Sequence, residues 1–133
     1  MRNSGRRTLL IIDDEKPFCD AVRDYLESDR IEVLSAQTRK EGLRICAERK
    51  IDVVLLDQKL PDGDGHALAQ HILEKHKHAR IIFITAFPTF DTAEAAARLD
   101  THEFLIKPID PEELKSMVEN TMRILDLKQG KQA

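Results

Sequence analysis

The chain has 133 residues, 41% of them hydrophobic and 34% charged, with a net charge of -3. That length fits one domain, large enough to bury a core without disulfides or a structural metal. The nearly balanced charge argues against a basic nucleic-acid-binding surface, so no direct binding of nucleic acid is expected.

In chain order, the start MRNSGRR is basic, but the apolar run after it is too short for a signal peptide and is cut at Asp13. Residues 1–7 therefore read as a flexible tail. Five short apolar runs follow as candidate strands: TLLII (8–12), IEVLS (31–35), DVVLL (52–56), RIIFIT (80–85) and EFLI (103–106). The first, third and fourth are almost continuously hydrophobic, as strands covered on both faces are, and belong at the centre of a sheet.

Helical spacing fills the gaps. Phe18, Ala21, Val22, Tyr25 and Leu26 recur at i, i+3, i+4, i+7 and i+8, and Leu43, Cys46 and Ala47 begin a similar stripe. Leu68 and Ile72 mark a third helix, the alanine-rich DTAEAAARL (91–99) a fourth, and Leu114, Met117, Val118, Thr121 and Leu125 a fifth. Asp110 before Pro111, Glu112 and Glu113 supplies an N-cap, a first-turn proline and first-turn acids, and Asp91 with Glu94 has capping spacing. The tail after Leu127 carries no pattern. Five β-α repeats predict a single doubly wound (βα)5 domain over 8–127, a parallel sheet sandwiched by helices, with tails 1–7 and 128–133. Cys19 and Cys46 lack CxxC spacing and read as reduced core thiols of a cytoplasmic protein. No stretch approaches a membrane span, so no membrane contact is expected.

In such sheets ligands bind beyond the carboxyl ends of the strands, where the strand order reverses. The first strand ends in Asp13 and Asp14, the third in Asp57, the fourth in Thr85 and the fifth in Lys107 and Pro108, while the second ends in Ser35 and Ala36 with nothing ionisable. Taken singly, Asp14 reads as a helix cap, Asp57 as a turn residue, Thr85 as a strand end and Lys107 as solvated surface. Jointly they converge on one site. His71, His76 and His78 point in different helical directions and read as solvated side chains, and ERK (48–50) as the exposed end of the second helix.

The stretches IIDDE, DQKLPDGDG (57–65), ITA (84–86) and FLIKP (104–108) resemble the receiver domain of two-component response regulators, from about Leu9 to Leu127. The resemblance implies a flavodoxin-like sheet in strand order 2-1-3-4-5, as in the CheY-like superfamily. It makes Asp57 the phosphoacceptor for a sensor histidine kinase or phosphotransfer protein, assisted by Thr85 and Lys107, with a cis bond between Lys107 and Pro108. It implies Mg²⁺ held directly by Asp14, Asp57 and the backbone carbonyl of Lys59, and through water by Asp13. It also implies a switch through Thr85 and Phe104 that reshapes the face of the fourth helix, fifth strand and fifth helix, where an output partner or a second copy docks to give a homodimer. The expected role is regulatory, with self-catalysed phosphotransfer and slow autodephosphorylation the only chemistry.

Two departures stand out. The exit of the fourth helix reads LDTHEF (99–104), which puts Asp100 where the family often has glycine, and Lys59 and Phe87 stand at positions that the resemblance implies border the phosphoryl site. A haloacid-dehalogenase-type phosphatase shares the roles but places its nucleophile in a DxD motif on the first strand, where this chain has DDE. A paired-carboxylate glycosidase is disfavoured by one Tyr and no Trp, and a phosphate-independent binding module by the intact Asp57, Thr85 and Lys107. The stretch 85–99 resembles receivers that precede ATPase modules acting on the alternative sigma factor, and the output itself is not identified.

Overall fold

The computed structural model describes residues 6–86 and 102–128. The expected helix over 91–99, its Asp91 cap, Asp100 and Phe87 lie outside the described residues.

Five β-strands and three helices lead to the first half of the site: β1 (Arg7–Ile12), α1 (Lys16–Leu26), β2 (Ile31–Ala36), α2 (Arg39–Glu48), β3 (Val53–Asp57), and then two two-residue strands, β4 (Lys59–Leu60) and β5 (Gly63–Asp64), before α3 (Gly65–Lys75). β6 (Arg80–Thr85), β7 (His102–Ile106) and a last helix, Pro111–Lys128, complete the described elements. The sheet runs β2-β1-β3-β6-β7, parallel throughout, while β4 and β5 pair antiparallel by themselves. This is the expected 2-1-3-4-5 order once the small β4–β5 hairpin is set aside.

Because side chains alternate across a strand, the sheet feeds two cores. Leu9, Ile11, Val53, Leu55, Ile82 and Ile84 pack on one face with Val22 and Leu26 of α1 and Leu114, Val118 and Leu125 of the last helix. Leu10, Ile12, Val54, Leu56, Ile81 and Phe83 pack on the other with Cys46 of α2 and Leu68 and Ile72 of α3. Both cysteines are free and buried. The last helix starts as its sequence requires, with Pro111 first and the Glu112 N–H donating to Asp110 Oδ1 at 3.2 Å.

Several helical positions differ from the simple stripe. In α1, Cys19, Val22 and Leu26 are buried, whereas Ala21 and Tyr25 face solvent. In α2 the buried residues are Gly42 and Cys46, and Leu43 and Ala47 are exposed. The reason is close approach: a Cβ on Gly42 would lie 2.7 Å from Ile12 Cδ1, so the helix meets the sheet through its glycine rather than through Leu43. His76 is not a solvated side chain, since its Nε2 lies 2.7 Å from the Cys46 carbonyl oxygen and ties α3 to α2. His71 and His78 are exposed.

At the amino end of the sheet β1 begins one residue before the sequence boundary, on Arg7. Its guanidinium is buried and donates to Asp52 Oδ1 at 2.9 Å and to Asp126 of the last helix. Asp52 also accepts the Thr8 N–H at 2.8 Å. An arginine in a tail would have no such partners; two carboxylates draw it into the strand. Among the described residues no helix is long and apolar enough to cross a membrane.

Candidate functional site

β1 and β3 are neighbours in register, with Ile12 opposite Leu56, so the residues that follow them emerge side by side at the carboxyl edge. Asp13, Asp14 and Asp57 meet there, each offering a carboxylate oxygen within 4.8 Å of the others. Asp13 is fully buried and its N–H donates to the Ala36 carbonyl at 3.0 Å, while Asp14 is exposed. Asp14 does not cap α1: the N-cap position is Glu15, with no side-chain cap bond. Asp13 supplies the local order instead, its Oδ1 accepting the Glu15 N–H at 2.9 Å.

Asp57 ends the central strand at 9% exposure, with its Oδ1 accepting the Lys59 N–H at 3.1 Å, so it is a turn residue as well as a site carboxylate. Gly65 is required beside it. A Cβ there would fall 2.5 Å from the Asp57 carbonyl oxygen, well inside contact distance, and only glycine lets α3 begin against the strand end. The Gly65 N–H donates to the Gln58 carbonyl at 3.1 Å and fixes that junction.

Lys107 arrives from β7. Its N–H donates to the Thr85 carbonyl at 2.8 Å, its bond to Pro108 is cis, and its Nζ donates to Asp13 Oδ2 at 2.7 Å and Glu15 Oε1 at 3.1 Å. The same ammonium stands 3.9 Å from Asp57 Oδ2 and 4.6 Å from the centre of the Phe18 ring. Thr85 is buried at the end of β6, opposite Ile106. Phe104, opposite Phe83 on β7, is half-buried and packs against the second core.

The electrostatics follow from crowding. Burial first, then the neighbouring charges of Asp13 and Asp14, push the Asp57 carboxyl up to about 6, against the opposing pull of the Lys59 N–H and Lys107. Burial pulls the Lys107 ammonium down, but its bonds to Asp13 and Glu15 more than offset that and its pKa is raised. Three clustered carboxylates facing one ammonium leave surplus negative charge. The donor chemistry fits a hard divalent cation: Mg²⁺ takes oxygen ligands in an octahedron whose opposite corners are roughly 4.2 Å apart, close to the reach of this cluster.

The sequence motifs thus meet in space at Asp13, Asp14, Asp57, Thr85 and Lys107. Two features escape them. Glu15 was given no role by the sequence, yet it holds the site lysine. Gln58 is buried beside the acceptor, its Nε2 2.9 Å from His66 Nε2, and His66 Nδ1 lies 3.2 Å from Asp64. Nothing in the spacing of a glutamine and a histidine eight residues apart signals that contact.

Residues 9–119 match the family described as the response regulator receiver domain. This chain belongs to that family. The receiver domain is 33% identical over 120 residues to the response regulator protein PilR of Pseudomonas aeruginosa, which covers 90% of this chain and 27% of PilR. It is 30% identical over 108 residues to the photosynthetic apparatus regulatory protein RegA of Cereibacter sphaeroides, covering 81% of this chain and 59% of RegA. The chain therefore spans only part of these bacterial relatives. Among solved structures, a response regulator receiver domain protein from Clostridium thermocellum matches at 32% identity and a TM-score of 0.82, over 91% of this chain and 98% of that one. A CheY-like receiver domain protein from Methanospirillum hungatei JF-1 shares the fold at 23% identity with a TM-score of 0.88, over 92% and 98%. The fold is flavodoxin-like, and the domain is the receiver of a two-component response regulator.

Proposed function

We propose that this receiver domain takes a phosphoryl group from a sensor histidine kinase or a phosphotransfer protein onto Asp57. The observation that carries the reading is the Asp57 carboxylate, set within 4.8 Å of Asp13 and Asp14 with the Lys107 ammonium 3.9 Å away. An Asp57 oxygen attacks phosphorus, the bond from phosphorus to the donor imidazole breaks, and the imidazole leaves with the bonding pair and takes up a proton from water. Little covalent chemistry is asked of the domain, so positioning and charge stabilisation do most of the catalysis.

Asp14, Asp57 and the Lys59 carbonyl would hold Mg²⁺ directly, with Asp13 acting through water. The bound ion would neutralise the carboxylates and the equatorial phosphoryl oxygens. Lys107 serves as the second cation, and the Thr85 hydroxyl donates to a phosphoryl oxygen. Phosphotransfer to Asp57 and slow autodephosphorylation are the only reactions assigned; the domain is a regulator and not a turnover enzyme.

The signal leaves through Thr85 and Phe104. Shifting a two-state equilibrium from 1:99 to 99:1 takes roughly 5.5 kcal/mol, and hydrogen bonds to charged groups supply about 1.5–3 kcal/mol each. Two or three bonds to the phosphoryl oxygens suffice. Drawing Thr85 inward lets Phe104, half-buried now, turn further in. That reshapes the face of β7 and the last helix, where an output partner or a second copy docks.

The test is incubation with a small-molecule phosphodonor and Mg²⁺, read by intact mass. One phosphoryl group should add, and none to Asp57→Asn. Labelling that survives in the variant would reject Asp57, and steady hydrolysis of a phosphate monoester would point to a phosphatase instead.

A further inference from the structure

Lys107 has three N–H donors and three carboxylates around it, but it does not bond all three. Asp13 and Glu15 take two of them, at 2.7 and 3.1 Å, and the nearest Asp57 oxygen, at 3.9 Å, is beyond bonding reach. The contacts close a ring: the Glu15 N–H donates to Asp13 Oδ1, Asp13 Oδ2 accepts from Lys107, and Lys107 donates back to Glu15 Oε1. The Phe18 ring flanks the same ammonium at 4.6 Å.

The two carboxylates holding the lysine differ in one respect. The Asp13 side chain is fully buried, whereas that of Glu15 is 64% exposed. A buried charge that loses its partner is stranded, but an exposed one is taken over by water. When Lys107 swings over to donate to a phosphoryl oxygen, Glu15 is the partner it can leave.

We propose that Glu15 is a positioning residue that parks Lys107 in the resting site, out of bonding reach of Asp57, and lets it go when a phosphoryl group arrives. This rests on the phosphoacceptor reading above and assigns a residue that reading does not use. Glu15 touches neither the acceptor nor the transferred group; it acts through the lysine. Its contribution is that of an exposed ion pair, small enough to be broken at every phosphorylation.

Glu15→Gln keeps the shape and removes the charge, which frees Lys107 for the incoming phosphoryl group. Phosphorylation in Mg²⁺ should become about two- to fivefold faster, the range an exposed pair supports. Removing a negative charge at the mouth of the site would also help any anionic donor to approach, so two donors are compared, dianionic acetyl phosphate and monoanionic phosphoramidate. A released tether raises both rates by the same factor. An unchanged rate, or a gain for acetyl phosphate alone, overturns the proposal. The second measurement needs no phosphoryl transfer: the Lys107 Cε and Nζ NMR signals of the resting protein should shift in Glu15→Gln, and coincident signals would overturn the tether. Failure of the wild-type protein to take phosphate would reject the phosphoacceptor reading, while the NMR comparison still decides where Glu15 holds the lysine.

Discussion

Removing the charge of Asp57 should make the metal-free domain more stable at neutral pH, although it destroys the proposed acceptor. The Asp57 carboxyl stands at about 6 in the folded domain against an ordinary 3.8. The folded state therefore holds the proton more tightly than the unfolded chain. Stability from this group is complete below about pH 4, is lost as the pH rises through about 6, and is absent above that. Two pKa units correspond to about 3 kcal/mol, which partial access of water to the carboxylate cluster reduces to about 1–2 kcal/mol. Asp57→Asn escapes that loss, and its side-chain oxygen can still accept the Lys59 N–H seen at 3.1 Å. Urea melts in EDTA across about pH 3.5 to 8 read the difference: the variant should come close to wild type at the acid end and exceed it by about 1–2 kcal/mol at pH 7.5. Adding Mg²⁺ at 100 times its dissociation constant should then raise the wild type by about 2.7 kcal/mol and the variant by much less. A variant less stable than wild type at pH 7.5, or a gain independent of pH, would refute the account of the site as a cluster of strained carboxylates.

Asp14→Ala should abolish stabilisation by Mg²⁺ while leaving the metal-free midpoint level or higher, as melts with and without the ion will read; a large metal-free loss would instead give Asp14 a structural role. Thr85→Ala should still accept phosphate by intact mass, but the NMR shift changes that phosphorylation causes across residues 102–120 should largely vanish; full-sized changes would route the switch elsewhere. Asp52→Ala strands the buried Arg7 guanidinium and the Thr8 N–H, with Asp126 left as partial compensation, and should cost about 2–4 kcal/mol in a denaturant melt without altering phosphorylation.

The sheet was legible in the sequence because its central strands are continuous apolar runs that only a doubly covered sheet accommodates. The site was legible for a related reason: strand ends are where parallel sheets present polar groups, so Asp13, Asp14, Asp57, Thr85 and Lys107 could be grouped before any coordinates. What periodicity missed depended on distances between elements. Leu43 looked like the inward residue of α2, but Gly42 allows a closer approach and takes that place. Arg7 looked like tail because its partners lie 45 and 119 residues away. Glu15 went without a role because nothing in a run of three acids tells which of them reaches across to a lysine on the far strand.

The Arg7, Asp52 and Asp126 contacts gain a meaning from their position. They rivet β1, the start of β3 and the last helix together at the edge of the sheet farthest from Asp57. The carboxyl edge is crowded with like charges, and under the proposed phosphorylation it has to loosen and tighten as a phosphoryl group comes and goes. A domain clamped at that edge would signal poorly, and one clamped nowhere would unravel from its switch. With the rivet at the opposite end, the strands can behave like tines held at the handle, and movement at the tip need not loosen the grip.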